Sequence, residues 1–302
     1  MKAYYCDHFV LPLPATHSFP MAKYRRLRER VIEEGIVAPT DLVEPQAVSV
    51  EHLTRVHDPD YVESVVAGTL GVEHQRRIGF PWSPAMVERS RRSVGGTISA
   101  ALTALSEGMA VNLAGGTHHA FRERGEGYCV FNDIAVAARV LQAEAPQLTR
   151  IAVVDCDVHQ GNGTAAIFRD DASVFTFSIH GEKNFPFRKE ASDLDVTLPD
   201  GTGDDEYLRC LADALDVVAR QQPDFVFYLA GADPFEGDRL GRLALSIEGL
   251  RVRDRMVFDR FAAAPIATCM GGGYCPDVDT IVTIHANTIR ELSMTARLAT
   301  GV

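Results

Sequence analysis

The chain has 302 residues, 46% of them hydrophobic, enough to bury a large core as one α/β domain. Its formal charge of −11, from 41 acidic against 30 basic residues, excludes a general affinity for phosphate backbones, so nucleic acid is not expected as a direct ligand. The six cysteines (Cys6, Cys129, Cys156, Cys210, Cys269, Cys275) have no CxxC spacing, and no apolar run has the length of a signal peptide or a membrane span, so a reduced, cytoplasmic protein away from membranes is expected.

Residues 2–6 predict a short strand, followed at 11–14 by a proline-punctuated loop that cannot be helix interior. From Ser18 or Pro20 an amphipathic helix runs to about Glu34, and its basic run from Lys23 to Arg30, interleaved with Glu29, Glu33 and Glu34, reads as a solvated face. Residues 58–67 predict another short helix, and 68–84, rich in glycine and proline around Trp82, a surface loop. Across 84–105, Val94, Ile98, Ala101, Leu102 and Leu105 fall at helical spacing and predict one buried stripe. A regular alternation follows: strands at 109–113, 151–155, 174–179, 225–230 and 265–270, with helices at 131–145, 164–168, 204–222, 246–263 and 277–296. Such alternation implies a single-domain, three-layer α/β/α fold with a mostly parallel central sheet. No linker divides the chain, so the domain is expected to cover residues 1–302.

The stretch from Ile151 to Gly163 organises the rest. Four apolar, mostly β-branched residues predict a buried strand, and Asp155, Asp157 and His159 stand at alternate positions where it should end. On extended chain these side chains share a face, just before a Gly161-Asn162-Gly163 turn that opens the next helix. Two carboxylates and an imidazole crowded together are costly without a partner, and a divalent metal suits them. Read alone, the same residues have a second, lesser reading as a polar loop whose Asp and Asn only cap a helix.

Open parallel sheets bind ligands at the carboxyl ends of their strands. After the predicted strands come Gly115-Gly116-Thr117-His118-His119; then Asp155, Asp157 and His159; then Ser178 and His180; then Gly231-Ala232-Asp233; then Gly271-Gly272-Gly273-Tyr274. The loops at the opposite edge, 146–149 and 221–224, carry only ordinary turn residues. His180 reads as a core or tunnel histidine and not a ligand.

These motifs, with Gly127-Tyr128-Cys129 and Asn132-Asp133, resemble the histone deacetylase superfamily of zinc-dependent amidohydrolases, over about residues 17–285. The tract 236–241, the tract 203–207 and His17-Ser18-Phe19 look most like the class IV branch and its bacterial relatives. The resemblance implies that Asp157, His159 and Asp233 hold one Zn²⁺ with positions left for water and a substrate carbonyl. It makes His119 the general base and acid, His118 its electrostatic partner, Asp155 the orienter of His118, and Asn162 the orienter of His119. Some branches carry Asp where this chain has Asn162, and an amide cannot raise basicity as a carboxylate does. Tyr274 would donate to the developing oxyanion. Gly127, Tyr128, Phe185 or Phe187, and Gly272 would line an acyl-lysine tunnel. Main-chain carbonyls near Asp155, Asp157 and His159, with Ser178 and Ile179, match a potassium site in family members.

The function implied is removal of acetyl or longer acyl groups from lysine side chains in proteins or peptides, with acetylpolyamines and other small acylated amines as the alternative. A binuclear manganese ureohydrolase shares the expected fold but would want an Asp-x-Asp pair where Pro234, Phe235 and Glu236 follow Asp233. A non-catalytic acyl-binding scaffold would not need the full His-His, Asp/His/Asp and Tyr set. A nucleotide-binding fold lacks its phosphate loop, since no GxGxxG or GxxxxGK[ST] is present.

Overall fold

The computed structural model describes residues 1–11, 13–14 and 17–300. Pro12 of the expected proline loop, and residues 301–302 of the expected domain, lie outside the described residues. In chain order the elements are β1 (Ala3–Tyr4), α1 (Ala22–Glu33), β2 (Leu42–Val43), α2 (Val50–Thr54), α3 (Pro59–Ala67), α4 (Val72–Ile78), α5 (Pro84–Glu107), β3 (Met109–Asn112) and α6 (Asp133–Glu144). They continue with β4 (Ile151–Asp155), α7 (Asn162–Phe168), β5 (Val174–Gly181), β6 (Leu194–Leu198), α8 (Asp204–Arg220), β7 (Phe225–Ala230), α9 (Ile247–Arg260), β8 (Ile266–Met270) and α10 (Val278–Thr300). The eight strands form one sheet in the order β2-β1-β3-β8-β7-β4-β5-β6, and every pairing is parallel. This is a three-layer α/β/α fold, as the alternation of elements predicts.

Strand periodicity divides the core in two. Ala152 and Val154 of β4 join Val226 and Tyr228 of β7 on one face, beneath α1, α8, α9 and α10. Ile151 and Val153 join Phe225 and Phe227 on the other, beneath α5 and α6. Strands buried on both faces read as unbroken apolar runs, which is why the central strands were visible in the sequence. The long helix α5 starts where the Ser83 hydroxyl accepts the Met86 amide at 3.1 Å and Pro84 presets φ at N1, and it ends at Gly108. Within it, a Cβ on Gly95 would collide with the Gln46 carbonyl, so the chain passes there only because the residue is glycine.

Several expected boundaries shift. The expected loop at 68–84 contains α4, between Gly71 and a left-handed Gly79. The helix expected from Thr164 opens at Asn162. The strands β2 and β6 were not anticipated, because they lie at the sheet's edges, where a run such as Leu194-Asp-Val-Thr-Leu198 is half polar and only partly buried. Nor was α2, whose five residues are too few for a periodic signal. Lys23 departs from the solvated face expected of its run: it is buried, and its Nζ donates to the Gly271 carbonyl at 3.2 Å. The remainder of the run behaves as surface, with ion pairs such as Arg25–Glu29 and Arg30–Glu34.

Candidate active site

All five polar strand exits lie at the carboxyl edge of the one parallel sheet. After β3 the chain turns through Gly115, Gly116 and Thr117, and the buried Asp133 carboxylate at the start of α6 holds that turn. It accepts the Gly116 amide at 3.0 Å, the Thr117 amide and hydroxyl at 2.7 Å each, and the Thr97 hydroxyl at 2.5 Å. A Cβ at Gly115 (φ +82°) would push into this carboxylate. The braced turn delivers His118 and His119, both buried, with ring centroids 4.1 Å apart.

After β4 the strand stops at Asp155, so alternation does not place the next two side chains. A staircase of turns does so: the Asp157 amide donates to Asp155 Oδ1 at 3.1 Å, and the His159 amide to Asp157 Oδ1 at 3.0 Å. What brings Asp155, Asp157 and His159 to the site is therefore this pair of turns and not the alternation of extended chain. Asp155 Oδ2 accepts from His118 Nδ1 at 2.6 Å, whereas His159 Nδ1 faces Asp157 Oδ1 at 2.9 Å and Asp233 Oδ2 at 3.1 Å. Asp233, from the exit of β7, also accepts the Val158 amide at 3.0 Å, tying the two strand exits together. A fully buried Arg253 on α9 reinforces that tie, donating to the carbonyls of Gly231 at 2.6 Å and Cys156 at 3.3 Å while Asp254 balances its charge.

Asp157, His159 and Asp233 form a group whose candidate ligand atoms all lie within 4.8 Å of one another. Two carboxylate oxygens and an imidazole nitrogen match the donor set of a catalytic zinc site, whose ligand atoms sit about 3.3 Å apart around bonds of about 2 Å. The electrostatics fit as well. Burial works against the His159 cation, but hydrogen bonds to Asp157 and Asp233 outweigh it and raise the pKa to about 10. Burial and the neighbouring Asp157 charge push Asp233 up to about 7, while the imidazoles hold Asp157 well below the usual carboxylate range against its own burial. The His159 proton is thus what reconciles two buried carboxylates, and a divalent cation in its place would satisfy all three donors.

The two tandem imidazoles differ in charge. Burial lowers the affinity of His118 for a proton, but the Asp155 carboxylate overrides it and raises the pKa to about 9. For His119 burial and the neighbouring imidazoles push the pKa well below 6.5, against a weaker lift from Asn162. Its Nδ1 donates to Asn162 Oδ1 at 2.7 Å, leaving Nε2 with a free lone pair.

His119, His159 and Tyr274 line a cavity of about 340 Å³ with Gly127, Tyr128, Phe185, Leu240, Arg76 and Arg77. Gly127 and Tyr128 both have positive φ, at 56° and 67°, and their amides donate to the carbonyls of Arg77 and Ile78. A Cβ at Gly127 would strike the His119 ring, so only glycine lets the wall close over the imidazole. Phe185 meets His119 edge-on at 4.9 Å, whereas Phe187 is 87% exposed. Gly272 lies outside this wall. It lines a smaller inner space of about 50 Å³ with Lys23 and His118, and its amide donates to Asp157 Oδ2 at 2.7 Å. His180 is fully buried, its Nδ1 2.9 Å from the Ser178 hydroxyl, and Ile179 is core. Tyr274 is buried, which pushes its phenol well above 10 and keeps it a donor.

Four residues that sequence reasoning left without a role support these groups. Asp238 accepts the Tyr274 amide at 2.6 Å and Arg239 donates to the Tyr274 carbonyl at 2.9 Å, so the peptide after the three glycines is gripped from both sides. Lys23 packs its ammonium against the Tyr274 ring at 5.6 Å. Glu126 accepts from Asn162 Nδ2 at 2.7 Å. Asp238 and Arg239 stand in the tract 236–241 and Lys23 in the basic run expected to face solvent; nothing in a single sequence pairs positions 23 and 126 with the site.

The sequence profile of the histone deacetylase domain matches residues 17–289. An uncharacterized protein of Picosynechococcus is 48% identical, covering 93% of this chain and 95% of that protein. Histone deacetylase 2 of Arabidopsis thaliana is 33% identical, covering 92% of this chain and 74% of its own length. A crystal structure of a histone deacetylase homologue complexed with SAHA superposes with a TM-score of 0.84 at 25% identity, covering 97% of this chain and 84% of that one.

Proposed function

The chain belongs to the histone deacetylase family and is a hydrolase acting on amide bonds; from that premise we propose that it removes acetyl or longer acyl groups from lysine side chains, as one catalytic domain over residues 1–302. The observation that carries this is the meeting, on the floor of one cavity, of a neutral His119, a hydroxyl donor Tyr274 and the His159 corner of the Asp157/His159/Asp233 cluster. A zinc ion held by those three residues would supply Lewis acidity toward the scissile carbonyl and make water acidic enough to deprotonate near neutrality. His119 Nε2 takes the proton from the attacking water and returns it to the departing amine nitrogen. His118, hydrogen-bonded to Asp155, supplies positive charge beside the developing anion, and the Tyr274 hydroxyl donates to the oxyanion as it forms. Tyr128 and Phe185 wall the channel against water.

Arg76 and Arg77 line the same cavity and favour an acyl-lysine peptide over a polycationic acetylpolyamine. Among the described residues one three-donor cluster is present, which favours a mononuclear amidohydrolase over a binuclear ureohydrolase. We place the protein nearest the class IV branch on its 236–241 tract, and in the cytoplasm on its free cysteines. Among the described residues no helix is long and apolar enough to cross a membrane. A potassium ion near Asp155, Asp157, His159, Ser178 and Ile179 is part of the same reading and rests on the resemblance alone. Metal analysis combined with acetyl-lysine, myristoyl-lysine and acetylpolyamine substrates tests it. Zinc at one per chain with hydrolysis of an acyl-lysine peptide is expected; a zinc-loaded protein that cleaves none of these amides would overturn the proposal.

A further inference from the structure

Asn162 stands at the first position of α7 with its side-chain amide between two partners. Its oxygen faces His119 Nδ1 at 2.7 Å, and its nitrogen donates to Glu126 Oε1 at 2.7 Å. An amide oxygen can only accept, so in this orientation His119 must carry its proton on Nδ1. Turned over, the same amide would present its NH₂ to the imidazole, forcing the proton onto Nε2 and removing the lone pair a general base needs. By itself a neutral amide has little preference between the two orientations. The carboxylate behind it settles the matter, because a flipped Asn162 would set its oxygen against the Glu126 oxygens with no donor between them.

Glu126 is well placed to impose this. Its side chain is 15% exposed, and Arg124 Nε lies 3.6 Å from its second oxygen. Its backbone is held too: the Cys129 amide donates to the Glu126 carbonyl at 2.9 Å, and the next amide, of Gly127, donates to Arg77. A half-buried carboxylate on the donor end of an amide also polarises it, increasing the negative charge on the oxygen that His119 meets. An asparagine thereby regains part of what a direct carboxylate would give.

We propose that Glu126 is a positioning residue which, through Asn162, locks His119 in the Nδ1–H tautomer and supports the positive charge His119 acquires when it takes a proton. The inference rests on the reading of His119 as the base. Glu126→Gln keeps the shape but removes the charge, and its own amide can accept or donate, so the constraint on Asn162 is lost. We expect kcat to fall by at least about tenfold, short of the about 10⁴-fold that a wholly wrong tautomer costs a histidine base because part of the population keeps Nδ1–H, with KM, zinc content and melting temperature close to those of the parent.

The pair of variants Asn162→Asp and Glu126→Ala gives an opposite-sign test. Asn162→Asp alone sets two carboxylates against each other and should lower kcat. In Glu126→Ala/Asn162→Asp the aspartate reaches His119 without that repulsion, and kcat should rise above that of either single variant. Nitrogen-15 NMR of the histidine rings in the whole protein reads the tautomer directly: the His119 signals should show Nδ1 protonated in the parent and a mixture in Glu126→Gln. Should the parent hydrolyse no acyl-lysine, the proposed function fails while the NMR arm still decides the tautomer lock. If the parent is active, a Glu126→Gln variant with kcat within about twofold and an unmixed tautomer, or a double variant weaker than both single ones, would overturn the inference.

Discussion

His118 and His119 are consecutive, equally buried and 4.1 Å apart, yet they end in opposite protonation states. The difference lies behind each ring. His118 backs onto the Asp155 carboxylate at 2.6 Å and is raised to about 9; His119 backs onto the Asn162 amide at 2.7 Å and is held well below 6.5. Burial alone would neutralise both imidazoles, so one formal charge at the second partner decides which ring is a cation and which a base. That division of labour is what a hydrolase needs from two imidazoles, since a base must be unprotonated before the step and an electrostatic partner must be charged throughout.

Removing the field that both rings share should have the largest effect. Asp157→Ala or Asp233→Ala takes a donor from the three-membered cluster and leaves one carboxylate and one imidazole, too few to hold the ion; loss of bound zinc by elemental analysis and of essentially all hydrolysis is expected. Next comes the contrast itself. His119→Ala should lower kcat by about 10³-fold with zinc retained, and His118→Ala by a smaller factor, because a positioned base contributes about 10²–10⁴ and an adjacent charge less. Equal losses, read by steady-state kinetics, would show that the two rings do not divide the work. Tyr274→Phe removes the donor on the far side of the carbonyl and should cost about 10²-fold in kcat with KM little changed.

The contrast was only partly legible in the sequence. The central strands, buried on both faces, announced themselves as apolar runs, and the carboxyl-edge rule then gathered His118, His119, Asp155, Asp157, His159, Asp233 and Tyr274 at one end of the sheet. The partners of each group were harder to see. Glu126 is 36 positions from Asn162, Asp238 is 36 from Tyr274, and Lys23 is 248 from Gly271, so no spacing links them. The β4 exit shows a second limit: alternation holds only while chain is extended, and at Asp155 it gives way to turns that send adjacent carboxylates to different imidazoles. The tunnel had a third. Phe185 and Phe187 are alike as letters, and only the folded loop puts one against His119 and the other in water.

A third imidazole, His57, sharpens the comparison with the smallest expected effect. It is as buried as His118 and His119 but has no ionised partner: the ring lies between the Phe121 carbonyl at 2.8 Å from Nδ1 and the Asn132 amide at 2.9 Å from Nε2. Nδ1 therefore donates and Nε2 accepts, a neutral ring bracing Asn132, which caps α6 and reaches the Ala120 carbonyl just after the tandem histidines. Burial lowers its pKa to about 4 against the backbone hydrogen bonds that raise it. In the unfolded chain the same ring titrates near 6.5. Between these values the unfolded state binds a proton that the folded state refuses. Stability present above pH 6.5 is accordingly lost as the pH falls toward 4, by an amount on the order of 3 kcal/mol when the shift is complete. His57→Gln keeps an acceptor for the Asn132 amide but cannot titrate. Chemical denaturation at a series of pH values should show it less stable than the parent at pH 7, with the gap narrowing steadily from pH 6.5 to 4. Parallel curves across that interval would mean that burial without a charged neighbour does not neutralise an imidazole here, and the contrast between His118 and His119 would then need a cause other than their partners.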